Sequence, residues 1–246
     1  PTGAILTEQL LEHGEIDNYT ARRLIRFNFC GGIAFIITAV GTVRLNSTKT
    51  GVVIYIINLL SSIIICLIES LFEKKQPHKK QKTTKQSFSN ALVNSVEVST
   101  KSIAIMCGYI TFFSALSGLF TIPKPILPLI EITNGVFSAK QIISLPYLCF
   151  FLCFGGLCIH FQLFGIIKKA DMHYLDFFIH RLAGGVISYF LGKCYIQVFE
   201  PNREVFSNIS QITPIASEIN SSLSVMLLAS CVIIVVDLHN KKSSLI

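Results

Sequence analysis

The sequence predicts an all-α polytopic membrane protein, and three observations carry that expectation. Apolar residues make up 51% of the 246 positions and charged residues only 14%, where a soluble domain carries about 25% charged residues. Mean hydropathy is +0.60. The apolar residues are also gathered into uncharged runs near or above the ~18 residues that signal a membrane helix. The same pattern excludes a disordered chain, a coiled coil and an ordinary cytosolic enzyme. Trp is absent while Phe numbers 19, so Phe and Tyr must supply any interfacial aromatics.

The elements follow in order. Residues 1–27 read as an amphipathic helix-turn-helix. Ala4–Glu12 is helical, His13-Gly14 ends it, and Asp17 caps a second helix through Arg26. Tyr19, Leu24 and Phe27 give it a partial apolar face that either docks a partner or packs on the ends of the membrane segments. Six candidate crossings follow: Asn28–Val43, Gly51–Ile68, Ile103–Ile122, Ile142–Ile167, Phe177–Phe199 and Ser221–Val236. The first and last are short, at 16 residues each, and the fourth is interrupted by Pro146, Gly155 and Gly156. The stretch EKKQPHKKQKTTK at 73–85 divides the chain. The expected organisation is a first repeat over 1–72, a Lys-rich cytoplasmic linker over 73–102, and a second repeat over 103–246.

Basic residues are retained in cytoplasmic loops. With the N-terminal segment inside, fifteen of the 21 Lys and Arg fall on the inner side and five on the outer, while Lys193 lies within a span and snorkels outward. The net charge of +7 is then a topology signal, with both the N-terminal segment and the C-terminus cytoplasmic. It is not a nucleic-acid footprint, and the Lys-rich linker reads as a solvated loop. The partner that composition implies is the lipid bilayer. Most of the eight cysteines lie inside apolar runs without paired zinc spacing, so they read as small apolar fillers. Cys149, Cys153 and His160 share a helical face, but three ligands on one helix make a poor tetrahedral cage. Neither a metal nor a cofactor is expected.

The two halves carry similar short motifs. Pro1-Thr2-Gly3-Ala4 precedes Cys30-Gly31-Gly32, and Thr133-Asn134-Gly135 precedes Gly155-Gly156. Repeats of this kind build secondary transporters, with binding sites where Gly- or Pro-interrupted segments meet near the midplane. A broken helix exposes free N–H and C=O groups that a continuous one consumes. Pro123, Pro125 and Pro128 forbid a continuous helix over 119–130. The stretch 123–140 is therefore either a re-entrant hairpin with Glu131 at its break, or an external loop turning at Asn134-Gly135. His160 and Gln162 sit inside a long apolar run, as interhelical glue or as solute contacts. Asp176 and His180 form an i, i+4 pair beside Arg181, read as interfacial capping or a proton relay. Gly184, Ser188 and Gly192 read as a helix-packing stripe. No nucleophile elbow, metalloprotease helix, phosphate-cradling loop or dinucleotide fingerprint occurs in the sequence, so an enzyme is not expected.

Taken together, several motifs resemble the YlbJ type of sporulation integral membrane protein. They are PTGA, the G-x-I-x-x-x-x-A-R-R-L pattern at Gly14–Leu24, Ala39-Val40-Gly41-Thr42, Glu131-Ile132-Thr133-Asn134-Gly135, and Gly155-Gly156-Leu157 with Gln162. The resemblance implies a nucleoside-recognition, or Gate, domain, a transporter-like fold, a role in spore formation, and further spans upstream of Pro1. The chain departs from the family in having Cys30-Gly31-Gly32 where a Ser-Pro is usual. On this reading Thr2, Gly3, Glu131, Thr133, Asn134, Gly135 and Gln162 line the site of a small polar, nucleoside-like solute. The amides would bind hydroxyl or base edges, the glycines would admit close backbone approach, and Glu131 would hold a coupling cation or proton. The alternative is a membrane assembly factor for spore coat or cortex that moves nothing and acts through its cytoplasmic surfaces.

Overall fold

The computed structural model describes residues 2–28, 30–71, 87–120, 122–139, 143–199 and 229. Its described elements are helical throughout, which makes the chain an all-α polytopic membrane protein. Among the described residues four segments are long and apolar enough to cross a bilayer: Thr48–Leu71, Ala91–Leu119, Leu145–Ile166 and Tyr174–Phe199. The expected sixth crossing, 221–236, and the linker 73–85 lie outside the described residues, Ala229 apart.

Helices α1 (Thr2–Glu12) and α2 (Asn18–Phe27) form the expected helix-turn-helix. Gly14, at φ +68°, closes α1 with paired bonds from its own N–H to the Leu11 carbonyl and from Glu15 N–H to Leu10. Glycine is suited to this left-handed position. The Asp17 side chain accepts the Thr20 N–H at 2.9 Å and so caps α2. Ala4, Ala21 and Ile25 pack with Leu163, Ile167, Ala170 and Phe177, seating the arm on the ends of α8 (Gly156–Ile166) and α9 (Tyr174–Phe199).

Two expectations need correction. The first crossing is not a short α-helix. Its chain is non-helical at residues 30–32 and then forms a π-helix over Phe35–Arg44. That wider helix lies against α3 (Thr48–Leu71) backbone to backbone: a Cβ on Gly41 would sit 2.6 Å from the Gly51 Cα. The second correction concerns the linker. Helix α4 (Phe88–Leu119) starts well before the apolar run, because 88–102 holds only two charged residues, Glu97 and Lys101, and no Gly or Pro to stop it. The fourth crossing is interrupted as expected, into two helices, α7 (Leu145–Phe154) and α8. Gly155 and Gly156 both adopt positive φ, +92° and +74°, and together break the rod.

The small-residue stripe on α9 packs as expected. Gly184 faces Ile65 and Cys153, Gly185 faces Phe150, and Gly192 faces Cys149 and Pro146, which brings α9 close to α7 and α3. The main core joins the two halves. Ile36, Val40, Ile54 and Ile57 interlock with Ile132, Val136, Ala139, Leu145 and Leu148.

Candidate functional site

The three prolines and the Glu131 backbone, at φ −135° and ψ 112°, divide 127–138 into α5 (Leu127–Ile130) and α6 (Ile132–Ser138). The two legs fold back on each other, because a Cβ on Gly135 would lie 2.4 Å from the Pro128 nitrogen. The Glu131 side chain is 1% exposed. Its two carboxylate oxygens accept the N–H groups of Thr133 at 2.7 Å and Asn134 at 2.6 Å. At the other end of α6 the fully buried Arg44 donates from Nε to the Val136 carbonyl at 2.8 Å. An anion thus sits at the positive end of α6 and a cation at its negative end, the favourable arrangement for a helix dipole. The cation comes from the first half of the chain and the anion from the second. Arg44 is accordingly a buried structural charge rather than an outer loop marker, and Arg181, buried at 2% exposure, is likewise removed from the inner tally. One charge leaves each side, so the bias stands.

The tip of this hairpin rests on the second break. A Cβ on Gly156 would meet the Pro128 carbonyl at 2.9 Å, the Ile130 carbonyl at 3.4 Å and the Ile132 nitrogen at 3.4 Å. Gly155 and Gly156 stand at the middle of the 22-residue Leu145–Ile166 segment, roughly 15 Å from either end at 1.5 Å per residue. The carbonyl end of α7 is held from within: His160 Nε2 lies 3.0 Å from the Phe154 oxygen, and Arg181 Nε donates to it at 3.5 Å. Cys30 and Cys153 both lie within electrostatic reach of the Arg181 guanidinium. The two cysteine–glycine motifs that the sequence paired, at 30–32 and 153–156, therefore approach the same side chain.

The seven candidate residues do not form one cluster. Glu131, Thr133, Asn134 and Gly135 share the hairpin, and Asn134 Nδ2 donates to Ser114 Oγ on α4 at 2.5 Å. Gln162 donates to the Met106 carbonyl at 3.2 Å, two turns away along α4, about 12 Å. Thr2 opens onto a groove of about 560 Å³ between α1 and α4 that also reaches Met106. It belongs with Gln162, not with Asn134. The glycines admit chain rather than guest. The space beside Gly135 is filled by Pro128, and that beside Gly3 by Asn28, whose carbonyl oxygen a Cβ would approach to 2.6 Å. The expected meeting of Thr2-Gly3 with the hairpin is replaced by the meeting of hairpin and Gly155-Gly156, and Thr2–Glu12 is one unbroken helix whose Gly3 lies against Asn28.

One polar seam was not singled out in the sequence. Ser188 on α9 donates its hydroxyl toward Asn58 Oδ1 at 2.7 Å and the Cys149 carbonyl at 3.1 Å. One turn away, Ser61 donates to the Gly184 carbonyl at 2.6 Å. Asn58 and Ser61, polar and three residues apart inside an apolar run, were the available signal. A second cavity, about 270 Å³, lies on the other side of α3 between Asn28, Cys30, Ser62 and Cys66.

The fold and these buried polar contacts define a multi-pass membrane protein built around interrupted helices. The chain is similar to the sporulation integral membrane protein YlbJ of Bacillus subtilis (strain 168), at 22% identity, over 76% of this chain and 58% of that protein. It thus spans somewhat more than half of the relative's length. No protein-family profile matches the chain. No solved structure matches it.

Proposed function

We propose that the chain is part of a transporter-like membrane protein acting in sporulation, which carries a small polar, nucleoside-like solute past the paired breaks at Glu131 and Gly155-Gly156. The observation that carries this reading is the hairpin tip seated on the middle of a broken span. Irregular backbone at membrane depth is tolerated where it is buried in protein or lines a cavity, and transporters use it to bind solutes and coupling ions. On this reading 123–140 is re-entrant, α1 and α2 lie on the cytoplasmic face, and Glu131, Thr133 and Asn134 present the solute-facing groups. The likeness to the sporulation protein supplies the biological setting. The test is proteoliposome uptake of radiolabelled nucleosides by the full-length protein, with spore counts in the native host. Asn134→Ala and Glu131→Gln should lower both. Normal sporulation with unchanged flux in both variants refutes the assignment.

A second reading has its own support. Glu131, Asn134 and the Phe154 carbonyl are each already bonded within the chain, as a membrane assembly factor would have them. That reading predicts tolerance at Asn134 and loss of spores when 73–85 is replaced by a neutral Gly/Ser segment in a correctly inserted protein.

A further inference from the structure

Away from the hairpin, four ionisable side chains from three helices meet where α2, the end of α3 and the start of α9 converge. Glu69 belongs to α3, Arg26 to α2, and Asp176 and His180 to α9. The His180 ring is held at both nitrogens. Nε2 lies 2.9 Å from Glu69 Oε1, while Nδ1 lies 2.7 Å from the Asp176 backbone oxygen and 3.4 Å from its Oδ1. Arg26 donates from Nε to Asp176 Oδ2 at 2.9 Å and approaches Glu69 Oε1 at 3.6 Å through Nη1. The side chains are half-buried to nearly buried, with Glu69 at 13% exposure and His180 at 23%.

A neutral imidazole has one N–H and one lone pair. Every oxygen facing this ring is an acceptor, so a neutral ring must set its lone pair against an oxygen lone pair. The imidazolium instead pairs its charge with Glu69 and donates from Nδ1 to the Asp176 carbonyl. Charge counting agrees. Two carboxylates and one guanidinium leave the cluster one positive charge short, and a ring proton supplies it. Other charged groups among the described residues stand on the same elements, and Arg23 lies one turn before Arg26 on α2. On α2, Arg22 is engaged by Asp171 at 3.0 Å. On α9, Arg181 turns to the Phe154 carbonyl. The only other charged residue of α3, Lys49, is at its far end, and α7 contributes Tyr147, Cys149 and Cys153 but no charged group.

We propose that His180, between Glu69 and Asp176, is a one-proton binding site that latches the end of α3 to α9. The proton comes from water and returns to it. When bound, it bridges the two helices through Glu69. When it leaves, the ring keeps at most one of its two contacts and the His180 bridge weakens, leaving the longer Arg26 approach to Glu69, while the Ser61–Gly184 bond, about 12 Å further along α3, still holds the helices together as a pivot. The site stands independently of the carrier reading, since it requires no solute.

The experiment uses the full chain in lipid nanodiscs. Nitrogen-15 NMR of the histidine rings reports protonation at each nitrogen, with His180→Gln identifying one signal among the six histidines. Noncanonical spin labels at the exposed Leu67 and Leu175 report the α3–α9 separation. The expected result is a doubly protonated His180 ring that loses its proton as the pH is raised, with the label distance lengthening by about 3 Å, one water layer, through the same midpoint. His180→Arg, permanently cationic, should hold the short distance at every pH. Glu69→Gln should leave the ring neutral and the distance insensitive to pH. A wild-type ring that stays neutral throughout, a wild-type distance that ignores pH, or a pH response kept in His180→Arg overturns the proposal. The wild-type titration alone decides if a variant fails to fold.

Discussion

Gly135→Ala tests the hairpin directly. A methyl group there would lie 2.4 Å from the Pro128 nitrogen, 2.5 Å from its Cα and 2.7 Å from the Leu127 carbonyl carbon. Ordinary carbon contacts need ~3.5 Å, so α5 and α6 must separate by about 1 Å. No rotamer can relieve this, because all three obstructing atoms are backbone. Overpacking usually costs about 1–3 kcal/mol, and a rigid obstruction belongs at the upper end. At 2–4 °C per kcal/mol for a chain of this size, the apparent Tm should fall by roughly 6–12 °C. The separation would also disturb the Glu131 cap and draw the tip away from Gly156, so on the carrier reading flux should fall with stability. The assay is thermal unfolding of purified protein in detergent, beside Gly108→Ala. Gly108 has nothing within 4 Å of the added carbon, and a helical Gly→Ala change costs nothing and can gain up to about 1 kcal/mol. Equal midpoints for the two variants would mean that α5 and α6 do not fold back on each other, and the argument built on their contact would fall.

Two further changes probe the ends of α6. Glu131→Ala removes both acceptors of the cap and should cost about 1–2 kcal/mol, whereas Glu131→Gln keeps one oxygen and should cost about half as much, read as the difference between two unfolding midpoints. Arg44→Gln removes a buried charge-assisted bond to the Val136 carbonyl and should cost about 2–3 kcal/mol, against under about 0.5 kcal/mol for Lys49→Gln in the same stretch of chain. Similar midpoints for the Arg44 and Lys49 variants would refute the placement of Arg44.

The membrane class, three of the four long spans and the α1–α2 arm were legible because each rests on local chemistry. An uncharged run, an Asp cap or a Gly at a helix end acts within a few residues. The break at Gly155-Gly156 and the division of 123–140 were legible for the same reason: glycine pairs and prolines limit their own backbone. What was illegible depends on contacts far apart in sequence. A π-helix at 35–44 has no period of its own in so short an apolar run, and what accompanies it is the close packing of Gly41 on Gly51. The role of Arg44 needs Val136, 92 residues later. Thr2-Gly3 looked like Thr133-Asn134-Gly135 because a short motif carries residue types but not partners. The same Gly that lets a chain turn also lets a second chain lie close, and at Gly3 and Gly135 the second use prevails.

These partners also rank what a solute could displace. Glu131, the Asn134 amide and the Phe154 carbonyl are bonded inside the chain, so a guest that uses them must exchange with an existing contact. The two N–H bonds to the buried Glu131 are charge-assisted and part-buried, and giving them up costs more than losing a neutral pair. The Asn134–Ser114 bond is neutral and exposed, worth about 1 kcal/mol, and a solute hydroxyl could replace it without net loss. It also joins the hairpin to α4, the least buried of the long spans. If the chain is a carrier, its first movement is therefore a displacement of α4 from Asn134, with α6 keeping both its capping charges. Unwinding α6 would instead strand Glu131 without its donors and Arg44 without its acceptor.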